Sequence, residues 1–369
     1  MYQNCQIFPV DYDMRTALIL PNNVWFCPYV NIYINILKEL SIDYDVISWN
    51  RDGSKEDAIQ YNYKLGTTNP IMLLFAYLKF ARFVKKTVIK HKYDNLIVFT
   101  PQSSIFLSRF LRTCYKGKYI FDYRDLSIEQ KRIFKGAFNS VLKNSYINVI
   151  SSPGFKEYLP REYNYILSHN FDIVKVRESL GVSFKKKYHE TVEVLTIGGI
   201  RDYESNAELI QSLADCSGVS MRFVGKGPSA EGLSKLANEN KVGNITFEGY
   251  YPKEIEGQYI LNADFMNIYY PRRPSHDSAL SNRFYNALIY KVPMITTSST
   301  IQGNFTEKYN LGVAIDNCEN LSEKLSLFRK NVDMLDFSNR CDCLLNNFIE
   351  DYTLWERLVR DFYTIVSES

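Results

Sequence analysis

The 369-residue chain lacks the features that mark several large classes of protein. It has no apolar run of the roughly 18 residues that a membrane-spanning helix needs, and it shows no signal peptide, so we expect no membrane span. Its net charge of +3 is too small to favour a nucleic-acid partner. These absences remove membrane-spanning and nucleic-acid-binding proteins from the expected classes.

Cysteine is also sparse, with seven residues scattered along the chain. Only Cys341 and Cys343 lie close together, and no second pair completes a zinc site. We therefore expect free, buried thiols in a reducing cytoplasm, with neither a disulfide framework nor a bound zinc ion.

What the chain does contain fits two α/β domains. Apolar residues make up 46% and charged residues 23%, as in a well-packed globular protein. Buried apolar runs alternate with helical stretches, and the alternation restarts near Val192, which predicts two doubly wound parallel sheets. The predicted divisions are an N-terminal domain at 1–170, a linker at 171–190, a C-terminal domain at 191–349 and a last helix at 350–369.

The elements of the N-terminal domain are predicted from apolar periodicity and from the turn residues between runs. The predicted strands are 16–20, 44–48, 96–100, 118–122, 146–150 and 165–168. The predicted helices are 29–40, 71–90 and 103–114.

Residues 281–293 carry the most informative signal in the chain. Ser281, Asn282 and Arg283 open a short apolar helix, and a strand follows at Met294. A helix that begins after a loop offers free backbone N–H groups and the positive end of its dipole, which suits a phosphate. Arg283 adds a rigid fork of donors. An ordinary helix with Ser281 or Asn282 as its N-cap is the alternative.

Four further segments precede this helix in a fixed order. They are 194–201 (VLTIGGIR), 223–228 (FVGKGP), 245–249 (ITFEG) and 263–270 (ADFMNIYY). With 281–293, this set resembles the C-terminal half of the GT-B glycosyltransferases. It is most similar to family 4 of the retaining sugar-nucleotide enzymes and to its bacterial capsule, O-antigen and exopolysaccharide branch. The resemblance covers 191–345 well and 1–170 only vaguely.

The resemblance implies a GT-B fold and a retaining glycosyltransferase. Such an enzyme moves a sugar from a nucleotide-diphosphate donor to a glycan or lipid-linked acceptor in surface polysaccharide synthesis, with no cofactor and no required metal. It also implies that 350–369 returns to the N-terminal domain; packing on its own domain is the alternative. Two Asp-x-Asp pairs, 11–13 and 43–45, precede predicted strands and are interpreted as turn and cap residues.

A donor site follows from the same segments. Glycines at 198 and 199 let backbone N–H groups approach a phosphate, and Arg201 adds positive charge; a tight turn with a solvated arginine is the alternative. Arg283 matches the family's basic residue that holds the diphosphate. The predicted donor contacts are Gly198, Gly199, Gly225, Tyr250, Asp277, Ser281, Asn282 and Asn286.

Two departures from the family pattern affect the expected ribose contact. The family's helix usually carries a Glu where this chain has Asn286, and an earlier acidic residue falls on Ser278, next to Asp277. Tyr250 either stacks on the base or packs within its own loop. Asn286 also leaves open a sugar-nucleotide-binding partner without activity, and the architecture leaves open a non-hydrolysing sugar-nucleotide epimerase.

In the N-terminal domain, Arg124 and Asp125 follow a predicted strand and resemble the Asp-x-Arg-Asp turn of several polysaccharide glycosyltransferases. One is expected to hold the loop in a buried Arg–Asp pair, and the other to face the acceptor hydroxyl. Together with Arg201 and Arg283 they are the catalytic candidates. His169, near the predicted linker, fits a structural role as well as a catalytic one.

The segment 77–93 carries six basic residues and no acidic one, with apolar residues between them. A basic amphipathic helix of this kind can lie on anionic bilayers, so we expect a protein of the cytoplasm with access to the inner face of the plasma membrane. The alternative is a helix that packs its apolar face on the sheet and leaves its lysines in water.

Overall fold

The computed structural model describes residues 14–64, 66, 69–182, 190–214 and 216–367. These residues form two compact units. The first unit contains 14–151, 156–168 and 352–367, and the second contains 152–155 and 169–351. The predicted Asp-x-Asp pair at 11–13 lies outside the described residues.

The first unit is built on a parallel sheet covered by helices. Its strands are β1 (Arg15–Leu20), β2 (Asp43–Asn50), β3 (Ile59–Asn62), β4 (Asn95–Phe99), β5 (Tyr119–Tyr123), β6 (Ile147–Ile150) and β7 (Ile166–Leu167). Its helices are α1 (Val30–Glu39), α2 (Pro70–His91), α3 (Thr100–Cys114) and α4 (Lys135–Asn144). The strands follow the order β3-β2-β1-β4-β5-β6-β7.

Local sequence sets the ends of α2. The Asn69 side chain accepts hydrogen bonds from the N–H of Ile71 at 2.9 Å and of Met72 at 3.4 Å. Pro70 occupies the first turn, where the helix needs no N–H donor. Lys92 ends the helix in a left-handed conformation with φ 54°.

The second unit has a six-stranded parallel sheet. Its strands are β8 (Val192–Ile197), β9 (Val219–Val224), β10 (Ile245–Glu248), β11 (Phe265–Ile268), β12 (Met294–Thr297) and β13 (Gly312–Ile315), in the order β10-β9-β8-β11-β12-β13. Its helices are α5 (Ile173–Ser179), α6 (Tyr203–Leu213), α7 (Ala230–Glu239), α8 (Glu256–Asn262), α9 (Pro274–Ser278), α10 (Asn282–Ile289), α11 (Ile301–Lys308), α12 (Leu321–Asn331) and the start of α13 (Met334–Ser367).

Both faces of the second sheet are buried. Leu195 and Met266 belong to one apolar cluster, and their strand neighbours Val194 and Phe265 belong to another. Successive side chains of a strand point to opposite faces, so helices must cover the sheet on both sides. This is the doubly wound arrangement that the sequence predicts.

Helix α13 changes unit within its length, because its residues from Tyr352 onward pack in the first unit. Trp355 is fully buried there, and its indole N–H donates to the Tyr33 hydroxyl at 3.2 Å. Val359 and Phe362 join the same apolar core.

The α/β class and the alternation of strands and helices are confirmed. All predicted strands and helices of the first unit are present with bounds shifted by a few residues, but β3 and α4 were not predicted. One interpretation was wrong: Asp43 and Asp45 do not precede the second strand. They lie within β2, where Asp45 pairs with Arg15 at 3.0 Å.

Candidate functional site

A cavity of about 400 Å³ lies in the second unit where the strand order reverses between β8 and β11. Ligands of doubly wound sheets bind at this position, outside the carboxyl ends of the strands. The cavity is lined by Ile197, Gly198, Gly199, Arg201, Asp202, Tyr251, Lys253, Glu256, Tyr270, His276, Ala279, Ser281, Asn282, Arg283, Asn286 and Gln302. Seven of the residues predicted from sequence therefore lie together here.

The loop after β8 depends on two glycines. Gly198 has φ +93°, a left-handed conformation that side chains disfavour. Gly225, after β9, packs so closely that a Cβ built on it would lie 2.1 Å from the carbonyl oxygen of Gly198. Gly225 does not line the cavity, so its role in this structure is to support the loop.

The hydrogen bonds of this loop leave few N–H groups for a ligand. The N–H of Gly198 donates to the Val224 carbonyl at 2.9 Å, and that of Ile200 donates to the Lys226 carbonyl at 3.1 Å. No acceptor is found among the described residues for the N–H of Gly199, which is exposed. Gly199 is therefore the donor of the glycine pair that remains open to an anion.

The start of α10 combines an ordinary cap with open donors. Ser281 is the N-cap: its hydroxyl accepts from the N–H of Phe284 at 3.3 Å and donates to Gln302 at 2.8 Å. Within the described chain, the N–H groups of Asn282 and Arg283 have no acceptor. Ser281 is therefore the N-cap, and two N–H groups at the same helix start have no partner among the described residues.

Arg283 ties the two central strands together. Its Nε donates to the carbonyl of Ile197 at 2.6 Å, one Nη donates to that of Gly199 at 2.9 Å, and the other lies 3.4 Å from that of Asn267. Five N–H donors are present on a guanidinium, so donors remain for a ligand. Arg283 thus positions the glycine loop as well as charging the cavity.

Arg201 differs from Arg283 in its surroundings. It is exposed, and its guanidinium has no ion pair or hydrogen bond to any residue that the structure describes. A lone guanidinium at the rim of a cavity is available to an anionic ligand.

Glu256, the first residue of α8, is a lining residue that the sequence analysis missed. Its side chain is only 13% exposed and pairs with Lys253. It accepts a hydrogen bond from the Tyr251 hydroxyl at 2.8 Å and lies 3.5 Å from the amide nitrogen of Asn286. Burial and this hydrogen bond raise the pKa of Tyr251, so its hydroxyl stays protonated and donates. The sequence did contain a signal for this residue, because Glu256 comes soon after the loop that contains the predicted donor contact Tyr250.

A histidine was also missed. His276 lines the cavity, with its Nδ1 3.1 Å from the carbonyl oxygen of Pro271 and its Nε2 3.9 Å from Asp202. Because a carbonyl only accepts, Nδ1 carries the hydrogen in this contact.

Besides Gly225, two other predicted donor contacts do not line the cavity. Asp277 instead forms an ion pair with Arg272 at 3.3 Å. Tyr250 is largely exposed, with the Lys226 ammonium 5.6 Å from its ring centroid, and its neighbour Tyr251 takes the place in the lining. Each of these two predicted residues is adjacent in sequence to a lining residue, Asp277 to His276 and Tyr250 to Tyr251.

The catalytic candidates of the first unit lie after β5. The Arg124 side chain is 5% exposed and pairs with Asp122 at 2.5 Å. It also donates to the carbonyl of Ser168 at 3.1 Å, while Tyr33 donates its hydroxyl to Asp122 at 2.7 Å. The expected buried Arg–Asp pair therefore exists, between Arg124 and Asp122, and Asp125 is exposed.

His169 is buried in the second unit. Its Nδ1 lies 2.9 Å from the Tyr285 hydroxyl and its Nε2 lies 3.0 Å from the Asp351 carboxylate. The ring also packs against Phe348, with centroids 4.2 Å apart. A buried ring that is bonded on both nitrogens and packed against an aromatic side chain fits the structural role.

The described residues contain neither a cluster of metal ligands nor a membrane-spanning helix. Over the described ranges, no group of three or more His, Cys, Asp or Glu side chains is arranged to hold a metal ion. In the same part of the chain, none of the helices combines the length and the hydropathy needed to cross a bilayer.

Neither a protein-family model nor a curated protein sequence matches the chain. Solved structures do match. A glycosyltransferase from Rickettsia africae has a TM-score of 0.65 at 16% identity, with 97% of this chain and 99% of that one covered. Sucrose-phosphate synthase from Thermosynechococcus elongatus has a TM-score of 0.65 at 16% identity, with 96% of this chain and 98% of that one covered. Anabaena HepE in complex with UDP has a TM-score of 0.62 at 13% identity, with 94% of this chain and 100% of that one covered. The chain therefore has the GT-B fold, as predicted.

Proposed function

We propose that the chain is a glycosyltransferase whose nucleotide-diphosphate sugar donor binds in the cavity of the second unit. One observation carries the proposal: the glycine loop, the start of α10 and two arginines meet at one cavity. Backbone N–H groups and guanidinium groups are the donors suited to a diphosphate. HepE, a structural neighbour, was solved with UDP, which supports a nucleoside-diphosphate ligand.

The two ends of the cavity suit two parts of such a donor. Arg201, Arg283 and the N–H of Gly199 make a cationic end. Asn286 lies three residues after Arg283, about 4.5 Å further along the axis of α10, and its amide nitrogen is 3.5 Å from Glu256. That spacing is of the order of the separation between a diphosphate and its ribose. The ribose hydroxyls would then meet Asn286 and Glu256.

The chemistry rests on positioning and on stabilising the leaving group. When the bond between the anomeric carbon and the diphosphate breaks, negative charge grows on the departing oxygen. The guanidinium of Arg201 and the start of α10 stabilise that charge, while an acceptor hydroxyl bonds to the anomeric carbon and gives its proton to the departing diphosphate oxygen. Retention follows the family resemblance, and no protein nucleophile and no metal are invoked.

The proposal extends to the membrane surface. Helix α2 exposes Ile71 and Phe75 at its start, while Phe80 and Val84 are buried toward the unit. An exposed apolar start followed by the basic segment 77–93 suits an anionic bilayer. We place the protein at the cytoplasmic face of a bacterial plasma membrane, where it would build surface polysaccharide on a glycan or lipid-linked acceptor.

Nucleotide binding tests the donor site directly. Thermal shift with UDP, GDP, ADP and dTDP and their sugars should show stabilisation by at least one diphosphate, because a ligand that binds the folded state raises its stability. The matched monophosphate and nucleoside should give smaller shifts. No shift with any diphosphate would overturn the proposal.

Product analysis separates the transferase from its alternatives. Donor consumption that depends on an acceptor, with the anomeric configuration read by NMR, supports transfer. Donor turnover without an acceptor indicates an epimerase. Tight donor binding without turnover on any acceptor indicates a silent binding partner.

A further inference from the structure

The loop after β1 displays two aromatic side chains at the carboxyl edge of the first sheet. Trp25 and Phe26 lie in the 3₁₀ turn Val24–Phe26 and are 63% and 48% exposed. Their rings contact edge to face, with centroids 5.4 Å apart. Adjacent large apolar side chains in solvent mark a binding surface, and this edge is where doubly wound sheets bind ligands.

A dense polar network fixes the backbone of this turn. The Glu56 carboxylate accepts the N–H of Val24 and of Trp25, each at 3.0 Å. The buried Asn23 side chain donates to Asn50 at 3.2 Å and accepts the N–H of Arg51 at 2.9 Å. Satisfied buried networks of this kind hold one conformation.

The indole itself is also held. Its Nε1 donates to Asp52 at 3.0 Å, although most of the ring lies in solvent. Asp52 accepts the N–H and the hydroxyl of Ser54 at 2.8 and 2.7 Å, and these bonds, with that from Trp25, lower the pKa of Asp52. Ordering an exposed side chain costs conformational entropy, so the fixed ring is prepared for a ligand.

We propose that Trp25 is the platform on which a pyranose ring of the acceptor packs, with Asp52 accepting a hydroxyl at its rim. A hexose has an apolar C–H face that packs on an aromatic ring and hydroxyls that donate to carboxylates. An anionic lipid surface fits less well, because Asp52 and Glu56 place negative charge beside the ring. The proposal rests on the glycosyltransferase function and accounts for the acceptor, which the donor cavity does not.

The tryptophans of the chain provide the assay. Of three in all, Trp49 and Trp355 are fully buried, so quenchable emission reports on Trp25. Methyl glycosides of common hexoses and N-acetylhexosamines, titrated with and without UDP, should include at least one that shifts or quenches this emission saturably. The same titration of Trp25→Phe should show no change. No response across the panel, an equal response to glycerol, or a response that persists in Trp25→Phe would overturn the platform.

Kinetics separate this platform from the donor site. Trp25→Ala should raise the acceptor KM at least tenfold while UDP affinity stays unchanged, and Trp25→Phe should recover part of the loss. Ile133→Ala, at another exposed apolar side chain of the same unit, is the matched control and should leave KM unchanged. An unchanged KM in Trp25→Ala refutes the platform but leaves the donor proposal standing. Failure of wild type to bind any nucleotide refutes the donor proposal instead.

Discussion

Replacing Arg283 by alanine tests whether one side chain both holds the donor loop and charges the cavity. The guanidinium makes two short bonds, to the carbonyls of Ile197 at 2.6 Å and Gly199 at 2.9 Å, and a long one to Asn267 at 3.4 Å. A hydrogen bond from a charged group contributes about 1.5–3 kcal/mol. Water in the cavity will solvate the freed carbonyls. We therefore expect the whole substitution to cost about 1.5–3 kcal/mol of unfolding free energy, the value of one such bond.

Arg201→Ala is the matched control, because that side chain lies at the same cavity without a protein partner in the described residues. It should leave the unfolding free energy unchanged and weaken UDP binding about tenfold, which is about 1.4 kcal/mol. Arg283→Lys keeps the charge but loses the planar fork. It should recover part of the UDP affinity and little of the stability.

Urea unfolding and titration calorimetry measure the two quantities separately. If Arg283→Ala unfolds at the same urea concentration as wild type, the bonds to the two strands add nothing and the reasoning fails. If Arg201→Ala destabilises the fold as much as Arg283→Ala, the division between a ligand-binding and a loop-holding arginine is wrong.

Three other substitutions or measurements have defined outcomes. Asn286→Glu sets a second carboxylate beside Glu256, which lies 3.5 Å from the present amide, so UDP affinity should fall and adding Glu256→Gln should restore it in calorimetry. Lys85→Glu with Lys86→Glu should release the protein from anionic liposomes in sedimentation, since each basic side chain contributes about 1 kcal/mol there; a wild type that stays in the supernatant contradicts this. Burial raises the pKa of Cys341 from 9.0 to about 12, so its thiol should resist alkylation until unfolding, as peptide mass spectrometry can show. Between pH 9.0 and about pH 12 the thiol of Cys341 is ionised in the unfolded chain but still protonated in the folded one. The free energy of unfolding should therefore fall as the pH rises through this range.

Much of the fold was predictable because parallel strands buried on both faces are continuous apolar runs. The run at 96–100 is such a case and forms β4. Strand β3 was missed because its sequence, Ile-Gln-Tyr-Asn, lies at the sheet edge and is only partly buried. Helix α4 was missed because its 10 residues include only a few apolar positions, of which Phe138, Val141 and Leu142 are buried.

Pairing between charged residues was less predictable. The sequence places Arg124 next to Asp125 and two residues after Asp122, and both acids are available in an extended segment. Side chains at positions two apart on a strand share a face. Asp122 lies in β5 and is completely buried, and it therefore pairs with Arg124. Alternation along the strand was the signal that identified this partner.

At the donor site, a motif that covers only helix α10 omits side chains that other helices contribute. Asn286 replaces a carboxylate that the resembling family carries on this helix, and on sequence alone the change suggests a lost ribose contact. In the structure the carboxylate of Glu256, at the start of α8, lies 3.5 Å from the Asn286 amide nitrogen. Two carboxylates at that separation would repel each other, so a neutral amide is the side chain that position 286 tolerates beside Glu256. On the proposed ribose contact, the exchange of Glu for Asn accompanies a moved carboxylate rather than a missing one, which argues against a silent binding partner.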